Sequence, residues 1–284
     1  MTSPATLMKA WDLHPKKQLG QNFLSDPSTA KMIISRAGIS SEDIALEIGA
    51  GLGAITVPLG QTVAGVYAVE KDTQLIEMLN TELALYQVQN VTVLLQNILK
   101  VDIPAIARQA GRPLIVFGNL PYNISSQVLV QLISGRHCLT RCFLMFQKEL
   151  AERLTASPGT RDYGRLTAML QYCAAVKPLA TVHAALFYPK PKIDSEVIEI
   201  DFTRGPAFSV PDEAFLFLVI KAAFSKRRKT LKNSLSKSVL EMETQMISEG
   251  LNQAAIDPAR RAETLSAAEF VRLGNCLYEL KRSM

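Results

Sequence analysis

Nothing in this sequence has the length of a membrane span or the spacing of a disulfide framework. None of the apolar runs in its 284 residues reaches the ~18 residues that a bilayer-crossing helix needs. The stretch Met1 to Trp11 lacks the basic-then-apolar order of a signal peptide and is too short for an Arg-rich transit segment, so a cytoplasmic location is expected. Cysteine is scarce: Cys138, Cys142, Cys173 and Cys276 include no close CxxC pair, which predicts reduced thiols. His137, Cys138 and Cys142 offer metal-type side chains in one place, but the second ligand pair of a structural site is missing and no metal is expected. His14 and His183 read as ordinary surface or core residues. There is no internal repeat and no low-complexity segment. Acid is also missing locally. Between Ala214 and Leu240 there is no Asp or Glu, while Lys221, Lys226, Arg227, Arg228, Lys229, Lys232 and Lys237 all fall in that window.

Such a block is either a phosphate-contacting surface or a solvated face. Arg228, Lys229 and Lys232 fall within one helical turn, with Leu231 and Leu235 four apart on another face, so a basic helix from Arg227 to Lys237 is predicted. The whole chain carries a formal charge of +5, mild for a nucleic-acid binder. Its apolar content of 48% is enough for a sizeable core in one large domain or two unequal ones.

Short apolar runs alternate with helical periodicity: Ile44 to Ile48, Val66 to Val69, Val91 to Leu95, Leu114 to Phe117 and Arg141 to Phe146, with helices over Thr73 to Leu83 and Ser126 to Ile133 among the intervening segments. That order predicts an α/β doubly wound sheet, parallel over this half. Two further strands, Val182 to Phe187 and Ile193 to Phe202, flank the turn Tyr188-Pro189-Lys190-Pro191 without a crossover helix and predict an antiparallel edge. Gly205, Pro206 and Pro211 read as a linker, and only helical patterns follow. The expected domains are therefore 1-204, carrying the sheet and the N-terminal segment, and 205-284, small and all-helical.

Doubly wound sheets bind ligands beyond the carboxyl ends of their strands. The first strand runs into Glu47-Ile48-Gly49-Ala50-Gly51-Leu52-Gly53, where Gly49, Gly51 and Gly53 allow a tight turn and close approach to a ligand. Glu47 is placed to face a cofactor amino group or to cap the turn. Glu70 ends the second strand, where a carboxylate accepts from ribose hydroxyls, which suits NAD and S-adenosylmethionine equally; it also reads as a surface residue opening a helix. After the fourth strand comes Asn119-Leu120-Pro121-Tyr122. Adenine N6 is a poor nucleophile because its lone pair is delocalised into the ring. The Asn119 side-chain oxygen and the Leu120 carbonyl can accept from that amino group, so that N6 pyramidalises. Pro121 fixes the backbone and removes a competing donor, and Tyr122 offers a face on which an extruded base can stack.

With this motif the chain resembles the ribosomal RNA adenine dimethylase family, in its bacterial small-subunit branch. The resemblance spans roughly 14 to 280. It includes Lys17-Gln18-Leu19-Gly20-Gln21-Asn22-Phe23-Leu24, the glycine loop, Asn119 to Tyr122, Gln147-Lys148-Glu149, Asp162 to Leu166, Phe187 to Val197, Arg227 to Leu231, and Asp257-Pro258 with Arg261 to Ser266. It implies a Rossmann-like class I methyltransferase fold using S-adenosylmethionine, with no covalent enzyme intermediate. Asn22, Leu24, Gly49, Glu70, Asn97 and Asn119 would border the cofactor, with Phe187 as the second wall against the target adenine. It also implies dimethylation of two adjacent adenosines in a hairpin near the 3′ end of small-subunit (16S) rRNA within pre-30S particles. The partners are then rRNA and ribosomal proteins, no membrane is involved, and Arg227, Arg228, Lys229 and Lys232 belong to the RNA footprint. Nothing reads as a dimer seam, so a monomer is expected. Asn97 is a departure, because the family usually has an acidic residue there, bonded to the cofactor's adenine amino group; an Asn oxygen can still accept that bond, without charge. The alternatives are the large-subunit branch of the macrolide-resistance type, against which Tyr122 and the match from Asp257 to Ser266 both count, and a non-catalytic assembly factor, against which the intact Gly49 to Gly53 and Asn119 to Tyr122 motifs count.

Overall fold

The computed structural model describes residues 2–121, 123–206, 208–226 and 228–283, with the backbone alone at residue 17. Tyr122 and Arg227 therefore lie outside the described residues. Nine strands occur among them: β1 (Phe23–Leu24), β2 (Ile44–Ile48), β3 (Gly65–Glu70), β4 (Val91–Leu95), β5 (Leu114–Asn119), β6 (Leu139–Gln147), β7 (Ala175–Val182), β8 (Phe187–Tyr188) and β9 (Ser195–Asp201). Seven form one sheet in the order β4-β3-β2-β5-β6-β9-β7, while β1 and β8 pair separately and antiparallel. The pairs β2–β3, β2–β5, β3–β4 and β5–β6 are parallel, and β9 runs antiparallel to β6. The expected doubly wound sheet with an antiparallel addition is present.

Continuous apolar runs become the central strands because both faces of a parallel sheet are covered. Ala45 and Leu46 are fully buried and Ile48 nearly so, and Phe117 on β5 stacks on Phe143 of β6 with ring centroids 5.0 Å apart. From β2 the chain winds outward through β3 and β4, then returns to β5 on the other side. That reversal opens a crevice at the carboxyl ends of β2 and β5, where Gly49 and Leu120 follow.

The strand expected over Val182 to Phe187 lies elsewhere: the pairing segment is β7, and Ala184–Leu186 forms a 3-10 turn before the two residues of β8. Asp194 Oδ1 accepts from Ala184 N at 2.8 Å and fixes that turn. Lys177 and Pro178 disguise β7, and both are tolerated because β7 ends the sheet and leaves backbone donors unpaired on its outer side.

By packing, the chain divides into two compact units, 1–151 with 176–203, and 152–175 with 204–284. The linker pattern draws a single boundary after 204, but the segment 152–175 clusters with the helical unit. Its helix Arg165–Cys173 buries Ala168, Leu170 and Cys173, and Tyr172 meets Phe217 of the helix Glu213–Ala223 edge-on at 5.9 Å. In the long helix Ala267–Arg282, Ser266 and Glu269 form a capping box, and Arg260 holds Glu269 at 2.6 Å. That guanidinium brings the Glu269 carboxyl down to about 2. The matched stretch ending at Ser266 thus has a structural task.

The basic segment is not one helix. Arg228 sits at φ +62°, in the left-handed region, and the helix Leu231–Leu235 starts anew behind Thr230, whose hydroxyl accepts from Asn233 N. Leu231 and Leu235 are buried, and Lys226, Arg228, Lys229, Lys232 and Lys237 are exposed. Among the described residues no helix is long and apolar enough to cross a membrane.

Candidate active site

A cavity of about 190 Å³ opens at the crevice. Its floor is the turn after β2. Gly49 and Gly51 adopt φ +77° and +56°, which other residues rarely tolerate, and a Cβ on Gly51 would stand 3.3 Å from the Phe23 ring. Gly53 shares the left-handed conformation but does not line the cavity; it admits Leu79, whose Cδ1 would lie 2.9 Å from an added Cβ.

Glu70, buried at the end of β3, ties this floor together. Its Oε2 accepts from Gly51 N at 2.9 Å, and its Oε1 accepts from Lys71 N at 2.7 Å and Asp72 N at 2.8 Å. Glu47 lies beneath, 2% exposed, and neither its Oε2 nor Thr56 Oγ1 has a hydrogen-bond partner among the described residues. Burial pushes the Glu47 carboxyl up to about 8, opposed by the nearby Thr56 hydroxyl and reinforced by the Glu70 carboxylate.

Beside the glycine turn, one place past the Ile48–Gly118 pairing, stands Asn119, the last residue of β5. Its Nδ2 donates to the Asn22 carbonyl at 2.8 Å, and its Oδ1 accepts from no described residue. Pro121 lines the cavity, whereas Leu120 is buried beside it, with its N–H donating to Met145 O at 3.3 Å. Asn22 lines the cavity from the N-terminal segment with Leu24, which pairs with Phe187 through β1 and β8. Phe187 itself is 4% exposed and packs in the core with Leu24, away from the cavity. Tyr188 is the exposed ring of that pair, at 37%. Alternation along a strand sends neighbours to opposite faces, a signal by which Tyr188 could have been singled out.

Asn97 reaches the cavity from beyond β4, and its Oδ1 is already engaged, accepting from Leu99 N at 3.1 Å as the cap of the 3-10 turn Ile98–Lys100. Sequence reasoning did not assign Lys16, Gln21 or Asp72. Asp72 caps the helix Thr73–Leu85 and receives Lys16 and Gln21 on its two oxygens. Burial alone would raise its pKa, but the bonds from Lys16 and Gln21 outweigh it and hold the carboxyl below the ordinary range. Among the described residues no group of three or more His, Cys, Asp or Glu could hold a metal.

Among the described residues the lining carboxyls are Glu47 and Glu70, against Lys71 as the lining cation. A pyrophosphate would face two acids here. A ligand carrying a sulfonium and an ammonium fits better, since the buried Glu47 oxygen has no partner among the described residues.

Sheet order, switch-point cavity and acid-bearing floor define a class I methyltransferase domain. Within that class, the chain belongs to the ribosomal RNA adenine dimethylase family, which it matches over residues 13–277. It is 51% identical to the ribosomal RNA small subunit methyltransferase A of Desulforapulum autotrophicum, over 100% of this chain and 99% of that protein. Its counterpart in Magnetococcus marinus is 43% identical, over 95% of this chain and 94% of that one. Among solved structures, a dimethyladenosine transferase from Plasmodium falciparum superposes with a TM-score of 0.75 at 26% identity, covering 92% of this chain and 98% of the other. The 23S rRNA methyltransferase ErmE superposes at 0.67 with 22% identity, covering 90% and 99%, a likeness of fold. The family and fold imply use of S-adenosylmethionine.

Proposed function

We propose that this chain dimethylates adenine N6 on two adjacent adenosines in a hairpin near the 3′ end of small-subunit (16S) rRNA during assembly of the small subunit, acting as a monomer in the cytoplasm. The observation that carries this reading is the Asn119 amide at the cavity wall, whose nitrogen is held by the Asn22 carbonyl and whose oxygen accepts from no described residue.

Bound S-adenosylmethionine supplies an electrophilic methyl group. Glu70 would take the ribose hydroxyls, Asn97 the base, and the Gly49–Gly51 turn with Glu47 the methionine portion, a reading supported by their all lining the cavity. Asn119 Oδ1 accepts a hydrogen bond from one N6–H and the Leu120 carbonyl from the other, which shifts electron density back onto that nitrogen; once the methyl has moved from sulfur to N6, the proton that N6 no longer holds leaves to solvent. Acceptors fixed before the substrate arrives need no reorganisation as charge develops, so positioning and polarisation supply the catalysis. Asn119 follows the stacked pair Phe117 and Phe143 on a central strand, which gives it a rigid base. Tyr122 and the exposed Tyr188 are the stacking surfaces for an extruded base, while Phe187 packs in the core with Leu24. The exposed Arg228, Lys229 and Lys232, with Arg227, supply a phosphate-contacting surface for pre-30S rRNA and its ribosomal proteins.

An isotopic methyl-transfer assay offers immature small subunits, large subunits and DNA to the purified chain. Label is expected in dimethyladenosine of the small subunit alone. Label in the large subunit would overturn the substrate, and absence of label from all three would turn the reading to a non-catalytic assembly factor.

A further inference from the structure

The segment 16–24 touches both ends of the cavity. At one end, Lys16 Nζ lies 2.8 Å from Asp72 Oδ1, Gln21 Nε2 donates to Asp72 Oδ2 at 2.9 Å, and Gln21 Oε1 accepts from Lys16 N at 2.7 Å. The Asp72 side chain is 4% exposed, and its backbone N–H is held by Glu70. At the other end, the Asn22 carbonyl accepts from Asn119 Nδ2. Between the two, Gly20 adopts φ +65° and lies on Pro121, where a Cβ would come within 3.3 Å of the proline ring, and Asn22 Nδ2 donates to Gly20 O at 3.2 Å. The N-terminal helix Pro4–Ala10 weighs on the same segment, with Leu7 and Met8 packed against Phe23, Leu52 and Leu75.

An asparagine amide has two orientations that exchange its oxygen and nitrogen. The wrong one would set Asn119 Oδ1 against the Asn22 carbonyl, acceptor on acceptor, and turn the NH2 group toward the target amine. Whatever fixes the Asn22 carbonyl therefore selects the orientation able to polarise N6. Two charge-assisted bonds onto a nearly buried carboxylate are strong enough to fix a segment that otherwise has little secondary structure of its own.

We propose that Lys16, Gln21 and Asp72 are positioning residues for methyl transfer, clamping the segment 16–24 so that the Asn22 carbonyl holds the Asn119 amide with its oxygen toward the target amine. None of the three touches the reacting atoms. The proposal rests on the role of Asn119 given above.

Three variants separate the clamp from general damage. Lys16→Met keeps the stem and removes the ammonium, Asp72→Asn keeps an oxygen for the helix cap, and Lys16→Arg restores charge and donors. In the cofactor-free protein, amide hydrogen exchange over 16–24 should quicken in Lys16→Met and Asp72→Asn and return toward the parent rate in Lys16→Arg. At saturating cofactor and RNA, kcat should fall on the order of tenfold in Lys16→Met, within the range of coupled neighbours. The deciding measurement is the double-mutant cycle with Asn119→Ala, in which Lys16→Met should cost little further rate because the group it positions is gone. Equal rate losses in both backgrounds, or unchanged exchange over 16–24, would overturn the clamp. Near-normal turnover of Asn119→Ala by itself would instead remove the role of Asn119, and the two failures are distinguishable.

Discussion

The two ends of the cavity use different chemistry. Toward β2 and β3 the groups are carboxyls, Glu47 and Glu70, both buried and tied to or packed beneath the glycine turn. Toward β5 the groups are an amide and a backbone carbonyl, from Asn119 and Asn22. Charge suits the first end, because a cationic cofactor must be gathered from water and held. Charge would be harmful at the second, where a carboxylate would bind an ammonium far better than a neutral aromatic amine. An uncharged acceptor there raises the nucleophilicity of N6 without drawing in a cation.

The comparison breaks first at Asn119. Asn119→Ala is expected to lower turnover about a hundredfold, roughly 3 kcal/mol for loss of a preorganised partner, while cofactor affinity stays within a few-fold. Single-turnover methyl transfer together with calorimetry checks both halves. The opposite profile should follow from Glu70→Ala, with cofactor binding weakened by about 1.5 to 3 kcal/mol, the range for hydrogen bonds to a charged group, and turnover at saturation much less affected. Because Glu70 also accepts from Gly51 N, exchange at that amide should quicken. Unchanged affinity would assign the ribose to another residue.

What could be read in the sequence follows from the range of the interactions. β2 and β4 appear at the residues expected, because short, mostly apolar runs ended by turn residues read as strands whether they lie in the buried centre, as β2 does, or at the half-exposed edge, as β4 does. The glycine turn and Asn119 to Pro121 were legible because their chemistry lies in contiguous residues. The break at Arg228 was not, since charge and leucine spacing fit a helix equally well until Thr230 is seen to cap a new one. β7 was hidden by the exposed Lys177 and Pro178 of an edge strand. The clamp is invisible locally: Lys16 and Asp72 are 56 residues apart, and Asn22 and Asn119 are 97 apart. No periodicity announces a pair at that separation.

Glu47 sharpens the acidic end through pH. Its carboxyl titrates at about 8 in the folded chain against an ordinary 4.5, so between those values the folded chain holds a proton that the unfolded chain has released. The cofactor-free protein should therefore lose stability as pH rises through that window. Glu47→Gln is expected to flatten the slope, as measured by urea unfolding across the range. A cationic ligand beside Glu47 favours its ionised form. Calorimetry near pH 7 in buffers of different ionisation enthalpy should accordingly show protons released when S-adenosylmethionine binds the parent, and none in Glu47→Gln. Equal proton release in both would place the titration elsewhere.

The smallest effect is expected at Asn97, and it comes from counting acceptors. A carboxylate at this position has two oxygens, one able to cap Leu99 N and the other able to take the amino group of the cofactor's adenine. Asn97 has a single oxygen, which already accepts from Leu99 N. Either that oxygen is shared between two donors, or the side-chain NH2 faces the adenine amine, donor against donor. Asn97→Asp removes the conflict without changing the size of the side chain, and its charge adds to an end of the cavity already suited to a cation. Calorimetry should show S-adenosylmethionine bound a few-fold more tightly by Asn97→Asp, a gain on the order of 1 kcal/mol for one additional hydrogen bond. The gain should disappear for a cofactor analogue with a 6-oxo purine, whose oxygen the asparagine NH2 can serve and the aspartate cannot. Equal affinity of parent and variant for both ligands would mean that Asn97 acts only as the cap of its turn and that the base is read by other residues.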